Sequence, residues 1–218
     1  MYKLPFRTPY TPKVNQEFGN TSLNAWYFAH GITAPFHNGC DFTFGTPIQT
    51  YGTECVCPQG NWEVVKITWD GPNSTKGNGV TLQSDNLSGT MYQIVFWHTS
   101  EIKVKLNDKL KEGDVVCYVG NTGLVNPPPT ADAPHNGSHC HLMLFEYLWI
   151  TKSNGSQFVL QNSNNGVGGA IDPRNLFNYY DWYETTTDTG LAHDMWALAP
   201  FAKLQSDIVA WFKKIGWI

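Results

Sequence analysis

Between residues 40 and 150 the apolar positions recur with a period near two, in short runs broken by Gly- and Asn-rich turns. The runs are GCDFTF, WEVVKITW, GVTLQS, TMYQIVFW, DVVCYVG and CHLMLFEYLWI. Side chains alternate faces along a strand, so each run predicts a short strand with one face buried. Many in succession predict a mainly β domain, an antiparallel sandwich or barrel-like sheet. Residues 1–20, with Pro5, Pro9 and Pro12, read as an extended lead-in ending in NQEFGN. NPPPTADAPHNGS (126–138) holds Pro127, Pro128, Pro129 and Pro134 and cannot be a central strand. It reads as a surface loop running into HCH, and QNSNNGVGG (161–169) reads as a second loop. Near the C-terminus the period changes. Phe201, Leu204, Ile208, Trp211, Phe212 and Ile215 fall at helical spacing behind Pro200, with Lys213 and Lys214 close to the end. This predicts an amphipathic C-terminal helix. Packing on its own domain is the first reading of such a helix, and contact with a membrane surface or partner the alternative.

At 218 residues the chain is long enough for one domain with a real core. A hydrophobic content of 41% against 15% charged residues excludes a disordered chain. The net charge of −4, with no run of Lys or Arg, leaves no footprint for nucleic acid. Nine Trp, ten Tyr and twelve Phe suit a sheet-rich core and a groove that grips a sugar or peptide polymer. Cys55 and Cys57 have no second pair at zinc-finger spacing, so most of the five cysteines read as small core hydrophobes. No apolar signal-peptide core follows Met1, and no segment approaches the ~18 apolar residues of a membrane span. A target outside a cell would need another delivery route.

The candidate chemistry lies in the histidines. In GSHCHLMLFE, a strand places His139 and His141 on one face and Cys140 on the other. In HNGCDF, fully extended backbone would hold His37 and Asp41 about 13 Å apart, too far to share one ion. Asn38-Gly39 is a turn dipeptide that can bring them together. Each motif alone has a bland reading: a chance pair, or a polar turn before a strand. His98, at the end of IVFWHTS, alone reads as a capping or core residue. Taken together, His37, Asp41 and one of the pair His139/His141 supply two imidazoles and a carboxylate. Three protein ligands leave a fourth zinc position open, as in catalytic rather than structural sites.

These pieces, in this order, resemble the lysostaphin-type, LytM-like M23 zinc metallopeptidases that cut peptidoglycan peptides. TPKVNQEFG resembles the family's lead-in to FG, and HNGCDFTFGTPIQTYGTECV its His-x₃-Asp segment. VFWHTS, LKEGDVVCYVGNTG, GSHCHLMLFE and IDPRNLF follow as the later elements do, so the resemblance spans residues 11–178. It implies an antiparallel sheet or sandwich of the duplicated hybrid motif type, with residues 179–218 as an extension carrying the helix. It implies one Zn²⁺ per chain on His37, Asp41 and His141. His98 and His139 would be the unliganded catalytic pair that handles the attacking water's proton and the developing oxyanion. Loops 20–36, 126–138 and 154–169 would wall the groove, with bacterial peptidoglycan as the partner of a monomeric metalloendopeptidase. Cys40 and Cys140 stand where the family has aliphatics, and Trp97 and Thr99 depart from its usual residues around the middle His.

The resemblance leaves alternatives. A catalytically silent LytM-like module would bind or regulate wall hydrolysis without cutting. A glucose-permease-type phosphotransfer domain uses two His but has no need of Asp41 or the H-x-H pair. A D-Ala-D-Ala peptidase of the other wall-zinc class spaces its first His and Asp more widely. A phage-encoded or virion-borne enzyme would account for the missing signal peptide, while the cleaved bond stays open. His30, His135 and His193 read as surface residues, His135 near enough to rim the groove.

Overall fold

In a computed structural model of the chain, the alternating runs become strands where their period places them. The structure describes residues 1–32, 36–69, 75–86, 88–152 and 155–185. The expected C-terminal helix and His193 lie outside the described residues. One five-stranded sheet has the order β14 (Phe177–Tyr183), β1 (Tyr2–Arg7), β4 (Glu54–Val56), β10 (Val115–Val119), β8 (Thr99–Ile102). A nine-stranded sheet runs β2 (Lys13–Gln16), β3 (Cys40–Thr43), β11 (Cys140–Lys152), β7 (Thr90–Trp97), β6 (Gly79–Ser84), β5 (Asn61–Thr68), β9 (Lys109–Lys111). Strands β12 (Gly155–Leu160) and β13 (Ala170–Ile171) pair with β11 off this path. All pairs are antiparallel except β1 with β14. The architecture is therefore mainly β, as the runs predict.

The core forms where the apolar faces of the two sheets meet. Leu4 and Phe6 of β1, Cys55 of β4 and Cys117 of β10 come from one sheet; Phe42, Phe96, Leu142 and Leu144 come from the other. The Phe6 ring lies 5.2 Å from Phe42 and 6.4 Å from Phe96 between centroids, so aromatic edges tie the layers together. Deleting such a fully buried ring costs about 3–5 kcal/mol. The five cysteines are free thiols and fully buried, as expected of small core residues. Strands β1 and β2 lie inside the stretch read as an extended lead-in, and β14 runs past residue 178 to Tyr183. The first residues are thus a sheet strand between β14 and β4, not a tail.

Strand β11 sets up the site. Its residues Cys140, Leu142 and Leu144 are fully buried in the core. His141, Met143 and Phe145 alternate with them and line a groove on the opposite face. Neighbouring β7 does the same, with Ile94 and Phe96 inward and Val95 and Trp97 on the groove. Among the described residues, no helix is long and apolar enough to cross a membrane.

Candidate metal centre

His37 and Asp41 reach the same point from opposite sides of Gly39. The backbone bends there and enters β3 at Cys40, which is buried. Strand register then pairs Asp41 with His141 on β11. His37 Nε2 stands 3.1 Å from Asp41 Oδ1 and 2.9 Å from His141 Nδ1, and that Nδ1 stands 2.8 Å from the same carboxylate oxygen. Donors around one tetrahedral zinc at ~2.0–2.1 Å would sit about 3.4 Å apart, so this triangle needs to open by only a few tenths of an ångström. Among the described residues this is the group of three or more such side chains whose donor atoms converge.

The protons of the triangle are determined by its surroundings. His37 Nδ1 lies 3.1 Å from the carbonyl of Glu17, which can only accept, so Nδ1 carries the hydrogen and Nε2 faces the centre bare. The His37 backbone is stitched to the same turn: its N–H donates to Asn20 O at 3.0 Å, and its carbonyl accepts from Gly19 N–H at 2.8 Å. With Nε2 of His37 bare, one hydrogen at most, on His141 Nδ1, fills the middle of the triangle. A divalent cation would replace that hydrogen, and two imidazoles with one carboxylate suit zinc.

Charge is distributed unevenly here. Burial works to raise the Asp41 carboxyl, but the charge of His139, the hydrogen bond from His141 and the proximity of His37 overcome it and hold the group well below the usual carboxylate range. Burial pushes His141 down, against the pull of Asp41. His98 is pushed down to about 3, first by burial and then by the charge of His139 and His141, so it stays neutral at pH 7.

His98 and His139 complete the cluster, their ring centroids 4.5 Å apart. His98 follows β7 in the left-handed region at φ 62°, where its Nδ1–H donates to Thr122 O at 2.7 Å. His139 Nδ1–H donates to Gly137 O at 2.7 Å. With Nδ1 of each ring bound to a carbonyl, Nε2 is the nitrogen left to exchange a proton. His139 Nε2 lies 3.8 Å from Asp41 Oδ1, outside bonding distance. Of the pair that spacing left open and the resemblance resolved in favour of His141, it is His141 that joins the tight triangle.

The groove holding these side chains has a volume of about 900 Å³. Trp26 and Tyr27 of helix α1 (Asn24–Ala29) and Pro127 and Ser138 of the 126–138 loop stand at its sides, as two of the three expected walls require. The third stretch contributes differently: 155–160 pair as β12 along the far half of β11, while Val167 packs on the groove residues Val95 and Met143. Residues around the β5–β6 connection, Lys66, Thr75 and Lys76, line the groove as well. His30 is exposed on α1, and His135 stacks on Tyr51 at 4.4 Å without lining the groove.

Several contributors escaped sequence reading. Glu17 orients His37 through a backbone carbonyl, which has no residue signature. Thr122 holds His98 through its carbonyl, and its Oγ1 accepts from Asn78 N–H and donates to Thr99 O, both at 3.0 Å. Gln16 is 6% exposed beside Asp41, with Oε1 accepting from Tyr27 O–H at 2.9 Å and Nε2 buried without a partner. The Gly-rich strings KGNG and GNTG were the available signal for Thr122, since Gly77 and Gly123 pack backbone to backbone at that point.

No family model matches the chain, and no curated protein sequence matches it. Several solved structures do. The catalytic domain of the antimicrobial peptidase lysostaphin from Staphylococcus simulans is 21% identical, over 76% of this chain and 90% of that one, with a TM-score of 0.46. A variant catalytic domain of the prophage-encoded M23 protein EnpA from Enterococcus faecalis is 22% identical, over 72% and 92%, with a TM-score of 0.41. Its structural neighbours are M23 peptidases. A zinc-containing peptidase from Vibrio cholerae also matches at 22% identity and a TM-score of 0.41, over 64% of this chain but only 33% of that one. The chain thus spans about a third of the length of that peptidase. With every one of these scores below 0.5, the functional reading rests on the donor geometry.

Proposed function

We propose that the chain is a zinc-dependent endopeptidase hydrolysing peptide cross-links or stem peptides of bacterial peptidoglycan. The observation that carries this reading is the convergence of His37 Nε2, Asp41 Oδ1 and His141 Nδ1 to within 3.1 Å of one another, beside two further imidazoles in an open groove. When bound there, zinc supplies a Lewis acid for the scissile carbonyl and lowers the pKa of water to ~7. The remaining work falls to side chains of this chain. His98 and His139 present open Nε2 atoms to accept the proton of the attacking water and return it to the leaving amine. The imidazolium formed in between faces the negative charge developing on the carbonyl oxygen. Gln16 lines the groove beside Asp41, and Tyr27, raised to about 12 by burial and then by the charge of Asp41, stays protonated to hold it.

The test is digestion of purified sacculi from several wall types with the zinc-loaded full chain, followed by mass spectrometry. New amino termini within stem or bridge peptides are expected. Intact peptides from every wall would leave the silent wall-binding module as the better reading.

A further inference from the structure

Among the described residues, the lining of the groove is cationic in a chain that is not. The protein has 18 acidic and 14 basic residues. Yet among the described residues, Asp41 is the one acidic side chain lining the groove, and it is committed to the metal centre. The other charged residues on the lining, histidines aside, are Lys13, Lys66 and Lys76, all three exposed.

Strand register places them on either side of the centre. Lys66 on β5 pairs with Thr81 on β6, Thr81 with Val95 on β7, and Val95 with Met143 on β11. That row crosses the sheet two residues along β11 from His141. Lys76 holds its ammonium 5.7 Å from the ring of Trp97, which pairs directly with His141. Lys13 pairs with Thr43 at the opposite edge, on β2. At ~4.8 Å per strand, Lys66 stands about 14 Å from β11 on one flank and Lys13 about 10 Å on the other. An extended peptide of roughly seven residues covers that span.

Resting on the proposed endopeptidase activity, we infer that the substrate peptide is anionic. Its carboxylate groups are read by Lys66 on one flank of the scissile bond and by Lys13 on the other. The apolar floor at Trp97 accepts backbone without selecting side chains, so the lysines carry the discrimination. A neutral, glycine-like bridge peptide has nothing to offer them.

The test uses two probes: a soluble cross-linked muropeptide fragment, and the same fragment with its free carboxyls converted to amides. The zinc-loaded full chain should hydrolyse the carboxylate form with the higher kcat/KM. Each of Lys66→Gln and Lys13→Gln should shrink that preference by up to about fivefold, the effect of one partly exposed ion pair, and mainly through KM. Lys103→Gln, just past β8 of the other sheet and paired with Glu101, should leave it unchanged. The preference should also collapse at about 1 M salt, where the screening length falls to ~3 Å. Equal rates on both fragments, or a preference untouched by the groove lysine variants, would overturn the inference while leaving the peptidase intact. If neither fragment is cut, the endopeptidase reading fails. In that case tryptophan fluorescence titration with the same fragments, reporting through Trp97, still decides whether carboxylates are preferred.

Discussion

Gly39 lies against the imidazole of His141: a Cβ at position 39 would stand 2.8 Å from His141 Nε2 and 2.6 Å from the carbonyl oxygen of Leu142. Neither neighbour yields cheaply, since one is strand backbone and the other a ring wedged between Asp41 and His37. Gly39→Ala should therefore push β3 away from β11, cost about 1–3 kcal/mol of stability, and weaken zinc binding. Chemical denaturation and zinc competition with a chromophoric chelator measure the two effects. Wild-type stability and affinity in this variant would show that the strands part freely.

The two kinds of histidine should separate in analysis. His141→Ala removes a donor of the triangle and should abolish stoichiometric zinc. His98→Ala should keep the metal but lose about 10²–10⁴-fold in turnover, the range for a positioned acid–base group. Elemental analysis of both purified variants decides the matter, and equal zinc contents would refute the division of roles.

Thr122 acts on His98 from outside the site. Thr122→Val keeps the shape but deletes the Oγ1 bonds to Asn78 N–H and Thr99 O, each worth about 1 kcal/mol. The carbonyl that orients His98 should then drift, lowering kcat about tenfold with zinc content and KM unchanged. Thr122→Ser should restore most of the loss. A valine variant with unaltered kcat would mean that neighbouring backbone alone holds the ring.

Acid should destabilise the metal-free protein well above the carboxylate range. His98 titrates near 6.5 when unfolded and at about 3 when folded. Between those values the unfolded chain binds more protons, so stability falls as pH drops from ~6.5 toward 3, by an order of a few kcal/mol in all. His141, also pushed down, acts in the same direction. Asp41, held below its unfolded value, adds a further loss only at more acidic pH, as its carboxylate is finally protonated. Urea midpoints of chelator-treated protein across this range should slope accordingly, and His98→Gln should flatten the upper part. An identical slope in the variant would remove His98 as the cause.

Much of this protein was legible from local pattern. The alternation of Cys140, Leu142 and Leu144 with His141, Met143 and Phe145 is a property of one strand's period, so it assigned core and groove faces without any knowledge of partners. The turn chemistry of Asn38-Gly39 likewise allowed His37 and Asp41 to meet. Register between strands was not legible, because it depends on pairings some 100 residues apart, such as Asp41 with His141. Only that pairing separates His141, inside the triangle, from His139, 3.8 Å from the carboxylate. Tertiary structure also decided that residues 2–7 form a sheet strand, that 155–160 extend β11 instead of walling the groove, and that the carbonyls of Glu17 and Thr122 aim two imidazoles. Those roles belong to backbone atoms, which every residue carries alike, and only the fold can give one of them a task.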